Sequence, residues 1–499
     1  MKITASHLYS FFQCPHRLWR DLHDNPADRD APNEFVELLW EHGIQHEKKL
    51  LEEFVASGVE VLDCSVIPKE KRAQATLEAL QKKVPYIYHG RLEVDELLGE
   101  PDLLELRPDG QYQALDIKSG MGSTEDDNGT EKLKKHYALQ LGLYTDALRR
   151  LGFADHYEGI IWDSQKERVL YALDQPMGVR TPTTYWEMYE DILMKARHIF
   201  EKSKTTKPAL ASICKLCHWY STCKKECETK NVLSLVPELG RSKQEGLDGI
   251  FNTVEDLATM NIEDQVDAKG KTGIPGIGKP TLEKFHRRAK LLNDENSKPL
   301  FHEPIVFPKK PIELFFDIEA DPTQEIIYLH GVVERRNGDD STNKFYGFTA
   351  TEVSLEAEKK AWQEFWDYIR SLNPDDWVMY YYSKYERTQY RVLAQKFPEV
   401  ATPEEVEWLF EEERAIDLYY DIVKPKTDWP TYNYSVKSLA QYLGFNWRDT
   451  NPSGAASIQW FNEWCKDKSP EKLQRILDYN EDDCIAMIVL KDGIEKIQK

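Results

Sequence analysis

The chain has 499 residues, of which 41% are apolar, 11% aromatic and 30% charged. That length exceeds what one hydrophobic core fills and predicts two to four ordinary globular domains. Its 65 Lys and Arg against 86 Asp and Glu leave a formal net charge of −21, which argues against nonspecific coating of nucleic acid and confines any nucleic-acid site to a local basic channel.

The opening MKITASHLYSFFQCPHRLWRDL places Cys, Pro, His and Arg where a signal peptide needs an apolar stretch, and no run is long enough to span a membrane. A cytoplasmic protein without a membrane partner is expected. Residues 1–235 read as α/β. Within them Glu34 to Phe54 predicts a helix with Phe35, Leu39, Gly43, His46 and Leu50 on one inward face, and strands follow between 86 and 118. Pro101-Asp102 is followed fourteen residues later by Asp116-Ile117-Lys118. In a strand, Asp116 and Lys118 share a face while the Ile117 side chain points away. Two carboxylates suit a hard cation such as Mg²⁺ or Mn²⁺, and the lysine can offset charge that develops on a phosphate. Leu133, Tyr137, Gln140, Leu141, Tyr144 and Leu148 predict the next helical face, with Gln140 the polar member.

An acid-x-acid pair arises by chance about fifteen times in so acidic a chain, so only constellations carry weight. His46, Pro101-Asp102, Asp116-x-Lys118 and Gln140-x3-Tyr144, in that order, resemble the RecB-like branch of the PD-(D/E)xK nucleases. The resemblance implies a restriction-endonuclease-like module. It implies a metal set of His46, Asp102, Asp116 and Ile117, with Lys118, Gln140 and Tyr144 as catalytic partners.

Cys14 lies near the start, and Cys214, Cys217 and Cys223 fall within ten residues. In a reducing compartment such clustering favours a metal over disulfides. The arrangement resembles the iron-sulfur clasp of AddB-type and CRISPR-associated RecB-like nucleases, which implies a 4Fe-4S cluster on these four thiolates. Cys227 competes as fourth ligand, and structural Zn²⁺ using His218 fits the local spacing. Cys64, Cys465 and Cys484 read as buried small residues.

Residues 236–298 predict short helices around Gly273-Ile-Pro-Gly276-Ile-Gly278-Lys279. The turn resembles a helix-hairpin-helix, which implies sequence-independent DNA contact through Gly276, Gly278, Lys279, Lys284, Arg287 and Arg288. Four prolines in residues 299–311 predict a linker.

The remainder, 299–499, predicts a second α/β domain, with strands at 312–316, 326–333 and 377–382 and helices near 355–370, 384–395 and 470–496. Asp317-x-Glu319 ends the first strand, Glu386 follows the third, and Tyr479 and Asp483 lie one turn apart on the last helix. This order resembles the RNase H-like DEDD exonucleases in their tyrosine variant. It implies a metal set of Asp317, Glu319, Glu386 and Asp483 with Tyr479 orienting water, although the family's second motif uses Asp where Glu386 stands. Asp482 competes with Asp483, and Asp417 reads as structural or as a support behind the ligands.

The whole order resembles proteins that join a RecB-like nuclease to an RNase H-like domain. It implies an exonuclease on single-stranded DNA or DNA ends, in repair, recombination or defence. No G-x4-G-K-[ST] loop occurs, so unwinding would need a helicase in trans. Two rivals are activity confined to the C-terminal domain, on RNA or DNA, and a non-catalytic nucleic-acid-binding adaptor for a helicase.

Overall fold

A computed structural model describes residues 2–32, 34–125, 131–178, 181–450 and 453–498. The chain folds as two units, Met1–Pro208 with Ile213–Thr222, and Ala209–Ser212 with Cys223–Lys499. Among the described residues no helix is long and apolar enough to cross a membrane.

In the first unit, six strands lie in the order Arg168–Ala172, Glu158–Trp162, Tyr112–Ile117, Leu103–Leu106, Tyr86–Tyr88, Val61–Asp63. Tyr112–Ile117 is buried along its whole length, between the antiparallel strand Leu103–Leu106 and the parallel strand Glu158–Trp162. A strand covered on both faces is normally apolar throughout, so Gln113 and Asp116 are its polar exceptions, and Asp116 is the one with an ionisable group. Helix Lys135–Arg150 packs against this strand and buries Ala138, Leu139, Leu141 and Leu148. It begins two residues after Leu133, which belongs to the strand Glu131–Leu133 and not to the expected helical face.

Helix Glu34–Ala56 forms where expected and buries Leu50, but Leu39 is 37% exposed, so the inward face is narrower than the periodicity suggests. The Phe35 side chain lies outside the described residues.

The second unit holds the helical segment and a five-stranded sheet, ordered Asp339–Thr349, Ile326–Arg336, Ile312–Asp321, Trp377–Tyr381, Ala415–Asp417. The first three strands are antiparallel and the last two run parallel to the central one. Period-2 alternation divides the central strand. Ile312, Leu314, Phe316 and Ile318 pack with Trp362, Phe365, Trp366 and Ile369 of helix Leu355–Ser371. Phe315 joins the opposite layer, with Met487, Ile488, Leu490 and Ile494 of helix Pro470–Gln498. Asp317 and Glu319 therefore point toward that last helix.

The proline-rich stretch is irregular apart from Leu300–Phe301, which pairs with Thr427–Asp428. Strand Asp339–Thr349 escaped the pattern because most of its residues are polar and exposed at the sheet edge.

Candidate active sites

In the first unit, Asp102 stands just before strand Leu103–Leu106 and accepts the Ile117 N–H on Oδ2 at 2.7 Å. This bond sets Asp102 beside Asp116, on the neighbouring strand. Asp116 is 0% exposed, and its Oδ2 is ion-paired with the Lys118 ammonium. Its Oδ1 is buried with no hydrogen-bond partner.

Burial and the Asp116 charge push the Asp102 carboxyl well above its ordinary value. Burial likewise raises Asp116, with Lys118 opposing. Burial alone would lower the Lys118 ammonium, but Asp116 and Asp102 hold it above its usual value, so it stays charged. The Ile117 side chain is 7% exposed and turned away from the acids, as the strand parity predicts.

Gln140 Nε2 donates to the Tyr144 hydroxyl at 3.0 Å, and that hydroxyl donates to the Glu100 carbonyl at 3.3 Å, just before Pro101-Asp102. Burial and both aspartates push the Tyr144 phenol far up, which keeps it a neutral donor. Its ring lies over Gly99, where a Cβ would stand 2.8 Å from Tyr144 Cδ1. The Lys118 Nζ lies 5.7 Å from the Tyr137 ring centroid.

His46 is half-buried, with Nε2 lacking a hydrogen-bond partner. The donor atoms gathered with Asp102 belong instead to Glu47 and His89, neither of which any sequence pattern singles out.

In the second unit, donor oxygens of Asp317, Glu319 and Asp483 lie within 4.8 Å of one another. Asp317 Oδ2 accepts from Asn480 Nδ2 at 2.8 Å, and Asp483 Oδ1 accepts from Trp447 Nε1 at 2.8 Å. Asn480 reaches Asp317 across Gly331, which pairs with Asp317 in the sheet. A Cβ at Gly331 would overlap the Asn480 amide and stand 2.7 Å from its Cγ.

Asp482 is the other candidate on the last helix, and Arg448 occupies it, with N and Nε donating to Oδ2 and Oδ1 at 2.8 and 2.9 Å. The geometry thus separates Asp483 from Asp482. Tyr479 is 4% exposed and its hydroxyl accepts from Lys437 Nζ at 2.8 Å. Lys437 was missed by sequence reasoning, as was Trp447, because single residues on a short helix and a loop carry no spacing signal.

Glu386 is buried, and its Oε2 has no hydrogen-bond partner. It raises the Asp317 carboxyl electrostatically but is not among the three gathered donors. Asp417 Oδ1 accepts the N–H groups of Ser383, Tyr419 and Tyr420 at 3.0, 2.9 and 2.9 Å. It thereby fixes Ser383, whose φ of 95° is left-handed, just before the Glu386 helix. Asp417 is a support, as its sequence context suggested.

Burial and Asp483 push Glu319 up to about 8, and burial and Asp417 push Glu386 to about 8. Carboxyls raised in the folded state stabilise the fold below their unfolded pKa, and that stability is lost as pH rises through the folded value. In EDTA, the unfolding midpoint of the protein is therefore expected to fall between about pH 5 and about pH 9, and Mg²⁺ to restore more of it as pH rises. Thermal melts with and without Mg²⁺ check this, and a midpoint that climbs over that interval in EDTA contradicts it.

Gly273 and Gly276 have φ of 67° and 71°, the left-handed turn expected before helix Lys279–Asn293. Gly276 and Gly278 are exposed. The expected contact through Arg288 is corrected. Its side chain is 1% exposed and donates to Asp428 Oδ1 at 2.6 Å and Glu238 Oε2 at 2.9 Å, so it clamps the helical segment to the sheet domain. Lys279, Lys284 and Arg287 are paired with Glu263, Glu238 and Asp428.

Among the cysteines, the Cys217 N–H donates to the Cys214 carbonyl at 3.0 Å. Burial pushes the Cys217 thiol up, opposed by the Trp219 N–H and Arg17, while the nearby Cys14 and Cys214 sulfurs add to the rise. Cys14, Cys214 and Cys217 all belong to the first unit. Cys227 is fully buried among Leu233, Leu247 and Leu257 of the second. His218 Nε2 lies 2.6 Å from Asp21 Oδ1. Cys64 and Cys484 are buried and Cys465 partly so.

A sequence model of the PD-(D/E)XK nuclease superfamily matches residues 6–224, and one of the RNase_H superfamily matches residues 314–494. The chain carries an N-terminal domain of the PD-(D/E)XK nuclease superfamily and a C-terminal RNase H-like domain. The first match contains Asp102, Asp116 and Lys118, and the second spans Asp317 through Asp483. No curated protein and no solved structure matches the chain.

Proposed function

We propose that the chain is a divalent-metal-dependent deoxyribonuclease that degrades single-stranded DNA or DNA ends exonucleolytically. Its N-terminal domain, of the RecB-like branch, is the principal nuclease. The observation that carries this reading is the Lys118 ammonium, ion-paired with a fully buried Asp116 that faces Asp102 inside a PD-(D/E)XK domain.

Asp102 and Asp116 supply the hard oxygens that Mg²⁺ or Mn²⁺ prefers, and the donorless Asp116 Oδ1 fits a cation ligand. A bound cation polarises the phosphate and acidifies water. Lys118 offsets the charge that builds on the phosphate as it is attacked, and Tyr144 fixes the chain entering Asp102. The context is repair, recombination or defence, with a helicase in trans where unwinding is needed.

End-labelled single-stranded DNA and RNA, incubated with Mg²⁺, Mn²⁺ or EDTA, test the reading. Progressive shortening from one end of DNA, absent in EDTA, is expected. Tight binding without turnover in either metal would instead favour the adaptor.

A second activity in the C-terminal domain, on DNA or RNA, is supported by the gathered Asp317, Glu319 and Asp483 and by Tyr479 held by Lys437. The exposed glycine turn at Gly276 and Gly278 offers backbone N–H groups to a DNA phosphate.

The spacing of Cys14, Cys214, Cys217 and Cys223 and its likeness to the iron-sulfur clasp of RecB-like nucleases support a 4Fe-4S cluster, with structural Zn²⁺ the alternative. Anaerobically purified protein is expected to hold iron and acid-labile sulfide and to absorb visible light, and Cys214→Ser to lose all three. Stoichiometric zinc without iron would contradict it.

A further inference from the structure

Two exposed tyrosines and two lysines that no motif marks stand together where helix Tyr385–Lys396 meets the turn Leu418–Val423. Tyr420 is 37% exposed, and the ammonium groups of Lys384 and Lys424 each lie 4.7 Å from its ring centroid. Tyr385, next to Lys384, is 45% exposed, and its phenol feels the charges of Glu386, Glu319 and Asp317. The patch therefore borders the acids of the RNase H-like domain.

The backbone beneath it is firmly held. Asp417 Oδ1 accepts from the N–H of Ser383 on one side and from those of Tyr419 and Tyr420 on the other, which ties the two segments at a single oxygen. Tyr419 meets Tyr420 edge-on with ring centroids 4.9 Å apart, and its own hydroxyl donates to Glu238 Oε1 at 3.4 Å.

Charge sets this patch apart. In a chain of net charge −21, Lys279, Lys284 and Arg287 beside the glycine turn are all paired with acids. Lys384 and Lys424 are exposed, and among the described residues no carboxylate pairs with either. The acid nearest to Lys424 in sequence, Asp421, accepts the Asp417 N–H at 2.9 Å instead. The negative face of a ring attracts both ammonium groups without neutralising them. Two positive charges thus stand close together without a counter-charge. Such a pair suits the phosphates of one strand, and an exposed ring beside it suits the face of a base.

We propose that Lys384 and Lys424, held at Tyr420, grip the phosphates of a single-stranded nucleic acid whose terminal base stacks on Tyr385, and so deliver that end to Asp317, Glu319 and Asp483. A paired end would first have to give up its partner strand, so single strands are favoured. Phosphates and base faces are common to DNA and RNA. The inference rests on the second activity proposed above for the C-terminal domain, and it gives that domain a strand-binding surface separate from the glycine turn.

A single strand ending in 5-iodouracil, which crosslinks under light to an aromatic ring it stacks on, tests this with the full chain carrying Lys118→Ala. In EDTA the crosslink is expected at Tyr385, located by peptide mass spectrometry whatever the N-terminal domain binds. DNA and RNA strands should give it alike, and a blunt duplex about tenfold less. Lys384→Ala combined with Lys424→Ala is expected to raise the half-saturating strand concentration about tenfold or more. It should also lower the slope of log affinity against log salt by about 1.4, the share of two single-strand phosphates. Lys384→Arg combined with Lys424→Arg is expected to restore both readings.

A crosslink found only elsewhere, a double alanine variant with unchanged half-saturation and slope, or equal crosslinking of the duplex overturns the proposal. Strand cleavage by the Lys118→Ala chain in Mg²⁺ reads the second activity separately. If cleavage is missing while the Tyr385 crosslink and its salt slope hold, that activity falls and the strand-binding surface is upheld.

Discussion

Lys118→Ala, made in an Asp317→Ala background so that only the N-terminal domain can act, is expected to lower DNA cleavage by about 10²- to 10³-fold. That is the range for losing one preorganised electrostatic group. Asp102 and Asp116 keep the cation-binding oxygens, so the loss falls on turnover more than on Mn²⁺ affinity, and the two measurements separate these effects. The fold survives because Asp116, already raised by burial, takes up a proton once its cation is gone. Thermal melts should shift little relative to the drop in rate. A variant that cleaves at the wild-type rate in this background would remove Lys118 from the chemistry and the N-terminal domain from its leading role.

Asp317→Ala is expected to move activity and stability in opposite directions. Cleavage by the C-terminal domain, read in a Lys118→Ala background, should fall on the order of 10³-fold, because one of the three gathered donors is lost. Without metal, the same change removes a buried carboxyl that Asp483, Glu319 and Glu386 all push upward. The EDTA melt should therefore rise while the Mg²⁺-dependent increment shrinks. A variant less stable than wild type in EDTA would show that Asp317 serves mainly as the acceptor for Asn480.

The acids were legible because strand parity and one-turn helix spacing are local rules. Asp116 with Lys118, Asp317 with Glu319, and Tyr479 with Asp483 each lie within a few residues on one element. Arg288 was misread because a basic helix looks the same whether its charges meet phosphate or buried carboxylates, and its partner Asp428 lies far along the chain. Glu47 and His89 were invisible for the same reason, since their meeting depends on a helix and a loop that share no sequence window. The choice between Asp482 and Asp483 needed Arg448 and Trp447, which reach the last helix from a separate loop.

The contact between Gly331 and Asn480 makes a missing side chain part of how the acidic triad is assembled. A saturation library over the second strand should tolerate exchange of its apolar positions for others of similar size, but nothing larger than hydrogen at 331. A homologue with alanine there would have to give up the amide at 480 as well, so the two positions should change together or not at all. Searching for that paired change would separate relatives that keep the acidic triad assembled from those that retain the acids as relics.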